Sequence, residues 1–214
     1  MLLRVLHFAR GITGAAGVGL LAWPGFVLLE SAYTQVWGER VLAAAMVPAA
    51  QDTILPEPLQ VKPKATKVRN GSLIGRVEIP RISLSYVLLE GTDARTLDRS
   101  IGHVESTAQL GETGNIGIAG HRNTHFRKLE WVRKGDEVRL SSPSGSYRYY
   151  VEWARIFKPS DMVVLSPSHG PAVTLVTCFP FEYVGNAPLR FIVRALPDDE
   201  TKARLVEVDG GSGQ

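Results

Sequence analysis

The sequence predicts a mainly β domain, either a barrel or a sandwich with short helices, preceded by an N-terminal transmembrane helix. Between residues 71 and 197, eight short runs are bounded mostly by glycine or proline and are rich in β-branched or alternating apolar residues. A 19-residue stretch near the N-terminus carries no charge, and residues 48–70 contain four prolines. These observations indicate a strand-rich domain held away from a membrane by a linker.

The composition excludes several classes of protein. With 214 residues, 44% of them hydrophobic and 21% charged, the chain has the composition of a globular protein. Its 24 basic and 21 acidic residues give a net charge of +3, without the concentrated basic face of a nucleic-acid protein. Nucleic acid is therefore not expected as a partner. The single cysteine, Cys178, excludes an intramolecular disulfide and any metal site built from several cysteines.

Residues 11–29 form the candidate membrane span. A helix of this length covers ~28 Å, close to the thickness of the hydrocarbon core of a bilayer. Arg4 and Arg10 precede the span and Glu30 follows it, so the N-terminus is predicted to stay in the cytoplasm. A cleaved signal peptide and a buried soluble helix are the alternatives. An uncleaved anchor is preferred over cleavage, because the small residues at 43–45 lie well beyond the apolar core.

Four segments follow from these patterns. Residues 1–30 are predicted as the cytoplasmic N-terminus and the transmembrane anchor, and residues 31–70 as an extracytoplasmic, proline-rich and semi-rigid linker. Residues 71–197 are predicted as the β domain, and residues 198–214 as a loose polar tail.

The predicted strands of the β domain are residues 74–79, 85–90, 115–119, 137–141, 147–156, 162–165, 172–178 and 189–195. Two helices interrupt them, at residues 94–101 and near 124–134. In the second helix Phe126, Leu129 and Val132 are spaced to share one buried face, and Gly135 is placed as its stop.

Cys178 lies at the carboxyl end of a predicted strand. Alternation places Thr174, Val176 and Cys178 on one face of this strand. Strand ends that open into loops are favoured positions for functional side chains. A buried structural thiol is the alternative, because free cysteine is among the most buried residue types.

The next predicted strand provides a cation beside this thiol. If the two strands pair antiparallel, Arg190 lies next to Cys178. Arginine favours a thiolate and can stabilise negative charge on a carbonyl oxygen under attack. A solvent-exposed arginine at a strand end is the simpler alternative. The connection between the strands, residues 179–189, exceeds the usual hairpin length and indicates a binding loop.

A cysteine nucleophile needs a proton carrier, and the chain has five histidines. His121 has the most favourable local setting, because Gly117 and Gly120 allow backbone or substrate to approach closely. His125, in the first turn of the second predicted helix, is the main competitor.

Three runs, GNIGIAGHR, TLVTCFPF and APLRFIV, resemble in order and spacing the histidine, cysteine and arginine motifs of the sortases, cysteine transpeptidases of bacterial surfaces. The resemblance covers residues 71–197. The motif sequences TLVTCFPF and NAPLRF are most similar to those of class D sortases. It implies an eight-stranded β-barrel with His121, Cys178 and Arg190 as catalytic residues. It also implies that Thr177 helps to build the oxyanion site or to position substrate.

The reaction implied by the resemblance is acyl transfer in two stages, without a metal or an organic cofactor. The Cys178 thiolate attacks a Leu-Pro-x-Thr-Gly type of sorting signal on a surface protein, and the thioester passes its acyl group to an amine acceptor. The enzyme is then expected in a bacterial cell membrane, with a single span and an extracytoplasmic catalytic domain. A hydrolytic cysteine peptidase of the same fold and a catalytically silent surface binding module are the alternatives.

Overall fold

Eight strands form one closed sheet in the computed structural model, which describes residues 33, 35–36, 40, 68–168 and 170–210. The strands are β1 (Leu73–Ile79), β2 (Leu84–Glu90), β3 (Ile101–His103), β4 (Asn115–Ala119), β5 (Glu137–Ser142), β6 (Gly145–Phe157), β7 (Ala172–Phe179) and β8 (Leu189–Pro197). The helices are α1 (Ala94–Arg99) and α2 (Asp199–Gly210), with short 3₁₀ helices at Pro80–Ile82, Arg127–Trp131 and Met162–Leu165. The predicted eight-stranded barrel is confirmed, and the sandwich is excluded.

The strand order places β7 between β4 and β8. Around the barrel the order is β1, β2, β3, β4, β7, β8, β6, β5, and β5 pairs back with β1. The pairs β2–β3 and β4–β7 are parallel, whereas the other six are antiparallel. Parallel neighbours run in the same direction and need a crossover connection. The carboxyl ends of β4 and β7 therefore meet at the same end of the barrel.

The barrel interior is filled by alternate side chains of the strands. In β7, Val173 and Leu175 are fully buried, whereas Val176 and Cys178 on the other face are half-buried. Phe126 and Leu129 are also fully buried, which confirms the apolar face predicted for their segment. The helix in that segment is shorter than predicted: it is a 3₁₀ helix that spans only Arg127–Trp131.

Residues 162–165 are a 3₁₀ helix, and the prediction of a strand there was wrong. Every strand of the closed barrel already has two neighbours, so no sheet edge is left for this run to join. The side-chain amide of Asn115 donates to the carbonyls of Val164 (2.9 Å) and Ser166 (3.3 Å). These bonds satisfy backbone carbonyls that a neighbouring strand would otherwise pair.

The third strand was missing from the predicted set. Helix α1 ends at Arg99, and Ile101, predicted as the last helical residue, begins β3. Its three residues are too few for a periodic pattern, and the strand exists because β2 and β4 pair with it on either side.

Asp199–Gly210, predicted as part of a loose polar tail, form a helix. In α2, Leu205 is fully buried, and the hydroxyl of Thr201 accepts a hydrogen bond from the backbone N–H of Arg148 (2.9 Å). The pattern of this segment is weakly amphipathic, so its packing against the barrel decides its structure.

The region before residue 68 is described at four positions only, all of them helical. The side chain of Gln35 accepts from the backbone N–H of Val87 (2.9 Å) and donates to the hydroxyl of Ser100 (2.8 Å). None of the helices in the described part of the chain is long and apolar enough to cross a bilayer. The predicted span at residues 11–29 lies outside the described residues and stays a prediction.

Candidate active site

Cys178 lies at the end of β7, directly opposite Arg190 of β8. The register pairs Cys178 with Arg190 and Phe179 with Leu189, which confirms the predicted antiparallel neighbours. Side chains of directly paired residues project from the same face of a sheet, with Cβ atoms about 4.5–5.5 Å apart. Both side chains are half-buried. A substrate can therefore reach the thiol while a cation lies beside it.

The guanidinium of Arg190 is held by the backbone at the end of its own loop. Its Nη1 donates to the carbonyls of Ala187 (3.2 Å) and Leu189 (2.9 Å). Both partners are neutral, so within the described residues these bonds orient the guanidinium without cancelling its charge. The other N–H groups of this planar cation are suited to an oxygen that gains negative charge.

His121 reaches the same end of the barrel through the parallel pair β4–β7. The last register pair joins Ala119 of β4 to Val176 of β7. Beyond β4, the N–H of Gly120 donates to the carbonyl of Val176 (3.2 Å), so the segment that leads to His121 stays beside β7 up to two residues before Cys178. The thiol therefore has a histidine on the β4 side and an arginine on the β8 side.

The side chain of Thr177 holds the backbone next to His121 in place. Its hydroxyl donates to the carbonyl of Gly120 (2.7 Å), and the N–H of Gly120 donates to the carbonyl of Val176 (3.2 Å). The Thr177 side chain is 2% exposed and projects to the face opposite Cys178. Its hydroxyl thus contacts the histidine segment, away from the face that carries the thiol.

A carboxylate from α1 lies beside His121. Nε2 of His121 is 3.4 Å from Oδ1 of Asp98, with side chains 42% and 58% exposed. An exposed pair of this kind contributes about 0–1 kcal/mol, because water and salt screen it. Asp98 therefore lies where it can orient the imidazole ring, with a small contribution to stability.

His125, the competing histidine, is enclosed by the protein. It is 4% exposed, and its ring packs edge-on against Tyr86 with centroids 5.0 Å apart. Burial, and to a smaller extent the charge of the neighbouring His121, lower the pKa of His125 to about 4. At neutral pH His125 is an uncharged imidazole and has no proton to give to a leaving amine. The structure therefore favours His121 as the proton carrier.

We expect the burial of His125 to make folding sensitive to acid. The pKa is about 4 in the folded protein and ~6.5 for an unperturbed histidine, so between these values the unfolded chain binds more protons. The free energy of unfolding should thus be highest above pH 6.5 and fall by up to about 3 kcal/mol as the pH approaches 4. Urea unfolding at several pH values in this range measures the decline.

The His125→Phe variant is the matched comparison, because it keeps an aromatic ring beside Tyr86 and removes the titrating group. Its free energy of unfolding should decline less steeply between pH 6.5 and 4 than that of the wild-type protein. Equal slopes in the two proteins would show that His125 is not the group responsible.

Arg122, the residue after His121, joins two loops of the site. Its Nη2 donates to the carbonyls of Tyr183 (2.6 Å) and Gly185 (3.0 Å), both in the β7–β8 connection, residues 180–188. An ion pair between Arg127 and Glu182 joins the same two segments. The β7–β8 connection is thereby fastened to the segment that carries His121.

We expect Arg122→Gln to raise KM by about tenfold with a smaller change in kcat. Hydrogen bonds from a charged donor contribute about 1.5–3 kcal/mol, and their loss frees the β7–β8 connection without moving the strands that hold Cys178 and Arg190. Steady-state kinetics with a peptide substrate separates the two constants. Arg139→Gln, on a strand that does not adjoin β7, is the control. An unchanged KM for Arg122→Gln would show that the hydrogen bonds from Arg122 to the β7–β8 connection do not contribute to substrate binding.

Sequence reasoning pointed to His121, Cys178 and Arg190 but missed Asp98 and Arg122. The position of Arg122 directly after His121 was the only local signal for its role. Nothing in the sequence near Asp98 indicates that it lies beside His121, because Asp98 belongs to α1. In the described part of the chain, no group of three or more His, Cys, Asp or Glu side chains could hold a metal ion.

Comparison with known proteins shows similarity across the barrel domain. The Sortase domain model matches residues 77–198. Sortase D of Bacillus subtilis (strain 168) is 34% identical over 182 residues, which cover 84% of this chain and 92% of that protein. Sortase A of Bacillus anthracis is 28% identical over 126 residues, covering 55% and 60% respectively. A solved Sortase D5 transpeptidase of Clostridium perfringens superposes with a TM-score of 0.56 at 32% identity, covering 61% of this chain and 81% of that one.

A closed barrel in which a thiol pairs with an arginine on the next strand, and a histidine follows the strand on the other side, fits a cysteine-dependent acyl transferase. The chain belongs to the sortase family and is class D-like. Sortases are cysteine transpeptidases that act on surface proteins bearing sorting signals and use amine acceptors.

Proposed function

We propose that this sortase cleaves a Leu-Pro-x-Thr-Gly type of sorting signal at the C-terminus of a surface protein and transfers the acyl group to an amine at the cell envelope. The observation that supports the proposal is the pairing of Cys178 at the end of β7 with Arg190 of β8, together with the position of His121 two residues after β4, the parallel neighbour of β7. Each supplies one chemical function that acyl transfer requires: a proton carrier, a nucleophile and a cation for the oxyanion.

In the first stage, the Cys178 thiolate forms a bond to the carbonyl carbon of the scissile peptide. The carbonyl oxygen gains negative charge, which the guanidinium of Arg190 stabilises by hydrogen bonds. When the intermediate collapses, the C–N bond breaks, and the His121 imidazolium gives its proton to the departing amine. The products are a thioester on Cys178 and a neutral imidazole.

In the second stage, the acceptor amine attacks the thioester carbonyl, and the neutral His121 takes a proton from its nitrogen. The C–S bond breaks, which regenerates the thiolate and completes the new amide. Because one group must be deprotonated while the other is protonated, turnover should rise and then fall with pH. In this proposal Thr177 is a positioning residue, since its hydroxyl holds the Gly120 carbonyl next to His121.

The test uses the full chain in a nonionic detergent, a sorting-signal peptide and an added amine such as triglycine. Mass spectrometry distinguishes the amide product from the free acid that water would give. We expect the amide to increase with triglycine concentration at the expense of the acid. Free acid alone at every amine concentration would favour the hydrolytic peptidase, and an intact peptide with unmodified Cys178 would favour the silent binding module.

We propose further that residues 1–30 anchor the enzyme in the membrane with the barrel outside the cytoplasm. The support is the asymmetry of Arg4 and Arg10 against Glu30 around an uncharged stretch of 19 residues. Alkaline phosphatase fused after residue 60 should be active, and the mature chain should keep its N-terminus. A mature protein that begins near residue 45 would identify the segment as a cleaved signal peptide and leave the catalytic proposal intact.

A further inference from the structure

A polar cavity of about 450 Å³ lies where the described barrel domain begins. Its walls come from the residues just before and at the start of β1 and from the start of the segment that contains α1. The lining residues are Arg69, Asn70, Gly71, Ser72, Asp93, Arg95, Thr96 and Arg99. This volume lies in the range of small-molecule sites. None of the candidate catalytic residues lines the cavity, so it is a separate site.

The cavity carries an excess of positive charge. Three arginines and one aspartate line it, which leaves a net charge of +2. Asp93 is already engaged, because Thr96 donates to its two oxygens from the backbone N–H (3.2 Å) and the hydroxyl (2.7 Å). These bonds lower the pKa of Asp93. The carboxylate therefore caps the start of α1.

Two of the arginines face solvent. The side chains of Arg69 and Arg95 are exposed, and neither forms an ion pair of 4.0 Å or less with a carboxylate among the described residues. Both guanidinium groups are thus accessible to a ligand that enters from outside.

We propose that this cavity binds a phosphate-bearing ligand. Arginine matches the geometry of phosphate oxygens through paired N–H groups, and three arginines in one polar cavity suit a group with two or more negative charges. The volume accommodates more than a bare ion, so the ligand is a phosphorylated small molecule or the phosphate headgroup of a lipid. Both sources present the same chemistry to the arginines.

The test measures thermal unfolding of the full chain in a nonionic detergent while pyrophosphate is titrated at constant ionic strength, balanced with NaCl. A ligand that binds only the folded state raises the unfolding temperature in a saturable manner. We expect this for the wild-type protein, and at least a tenfold weaker apparent affinity for Arg95→Gln, since a charged hydrogen bond is lost. Arg155→Gln, which alters an exposed arginine of β6, should titrate like the wild-type protein.

The source of the phosphate is resolved by comparing the titration in phosphate-free nonionic detergent with a titration of the full chain reconstituted in bilayers of phosphatidylcholine and phosphatidylglycerol. A headgroup in the cavity should raise the pyrophosphate concentration needed for half-saturation in the wild-type protein. An unchanged concentration assigns the cavity to a soluble phosphorylated ligand. The proposal is overturned if pyrophosphate gives no saturable effect in detergent, or if Arg95→Gln titrates like the wild-type protein.

Discussion

Replacing Cys178 by alanine is expected to abolish both the acyl-enzyme and the amide product. The thiol is the only one in the chain, and it lies half-buried at the end of β7, where a peptide carbonyl can reach it. Intact-mass spectrometry of enzyme mixed with sorting-signal peptide measures the thioester directly.

Variants of the two histidines test which of them transfers protons during the reaction. His121→Ala should fail in both stages, because the same imidazole gives and then takes a proton. His125→Phe should keep substantial activity at neutral pH, since the ring it replaces is buried and uncharged there. An active His121→Ala variant together with an inactive His125→Phe variant would transfer the acid–base role to His125. Amide formation by Cys178→Ala at the wild-type rate would contradict the covalent mechanism.

Replacing Arg190 by alanine is expected to lower kcat by about 10²–10³, equivalent to roughly 2.7–4 kcal/mol, if the guanidinium supplies one oxyanion donor. Arg190 is the register partner of Cys178, and its Nη1 is occupied by backbone carbonyls that fix its orientation. Single-turnover measurement of thioester formation isolates the step in which the oxyanion develops.

Two further substitutions show whether charge or geometry matters at this position. Arg190→Lys keeps the charge but loses the planar fork of donors, so we expect it to recover only part of the activity. Arg194→Ala removes another arginine of β8, which pairs with Glu152 (3.4 Å), and should leave thioester formation unchanged. An Arg190→Lys variant as active as the wild-type enzyme would show that a positive charge alone suffices.

The local pattern of the sequence predicted most of the strands. Alternation assigns the side chains of β7 to two opposite faces, and glycine or proline marks the ends of most strands. The local pattern gave the wrong prediction at Ile101–His103 and Met162–Leu165, where strand pairing in the barrel decides the structure. Ile101–His103 form a strand because partner strands lie on both sides. Met162–Leu165 form a 3₁₀ helix because the closed sheet has no free edge.

The pairing of Cys178 with Arg190 was accessible from the sequence, because the two strands follow one another and a hairpin connection implies antiparallel neighbours. The position of His121 was not. Its approach to Cys178 depends on the parallel pairing of β4 with β7, strands separated in the chain by β5 and β6. Motif resemblance identified His121 without explaining what brings it to the thiol.

The sequence by itself determined the residue types of the site and the alternation that turns Cys178 away from the barrel interior. Only the tertiary structure decided which histidine is exposed, how Arg122 fastens the β7–β8 connection, and that arginines 69, 95 and 99 line one cavity. The physical reason is that strand periodicity is a property of neighbouring residues. Burial, loop contacts and the convergence of charges depend on which distant segments the closed barrel brings together.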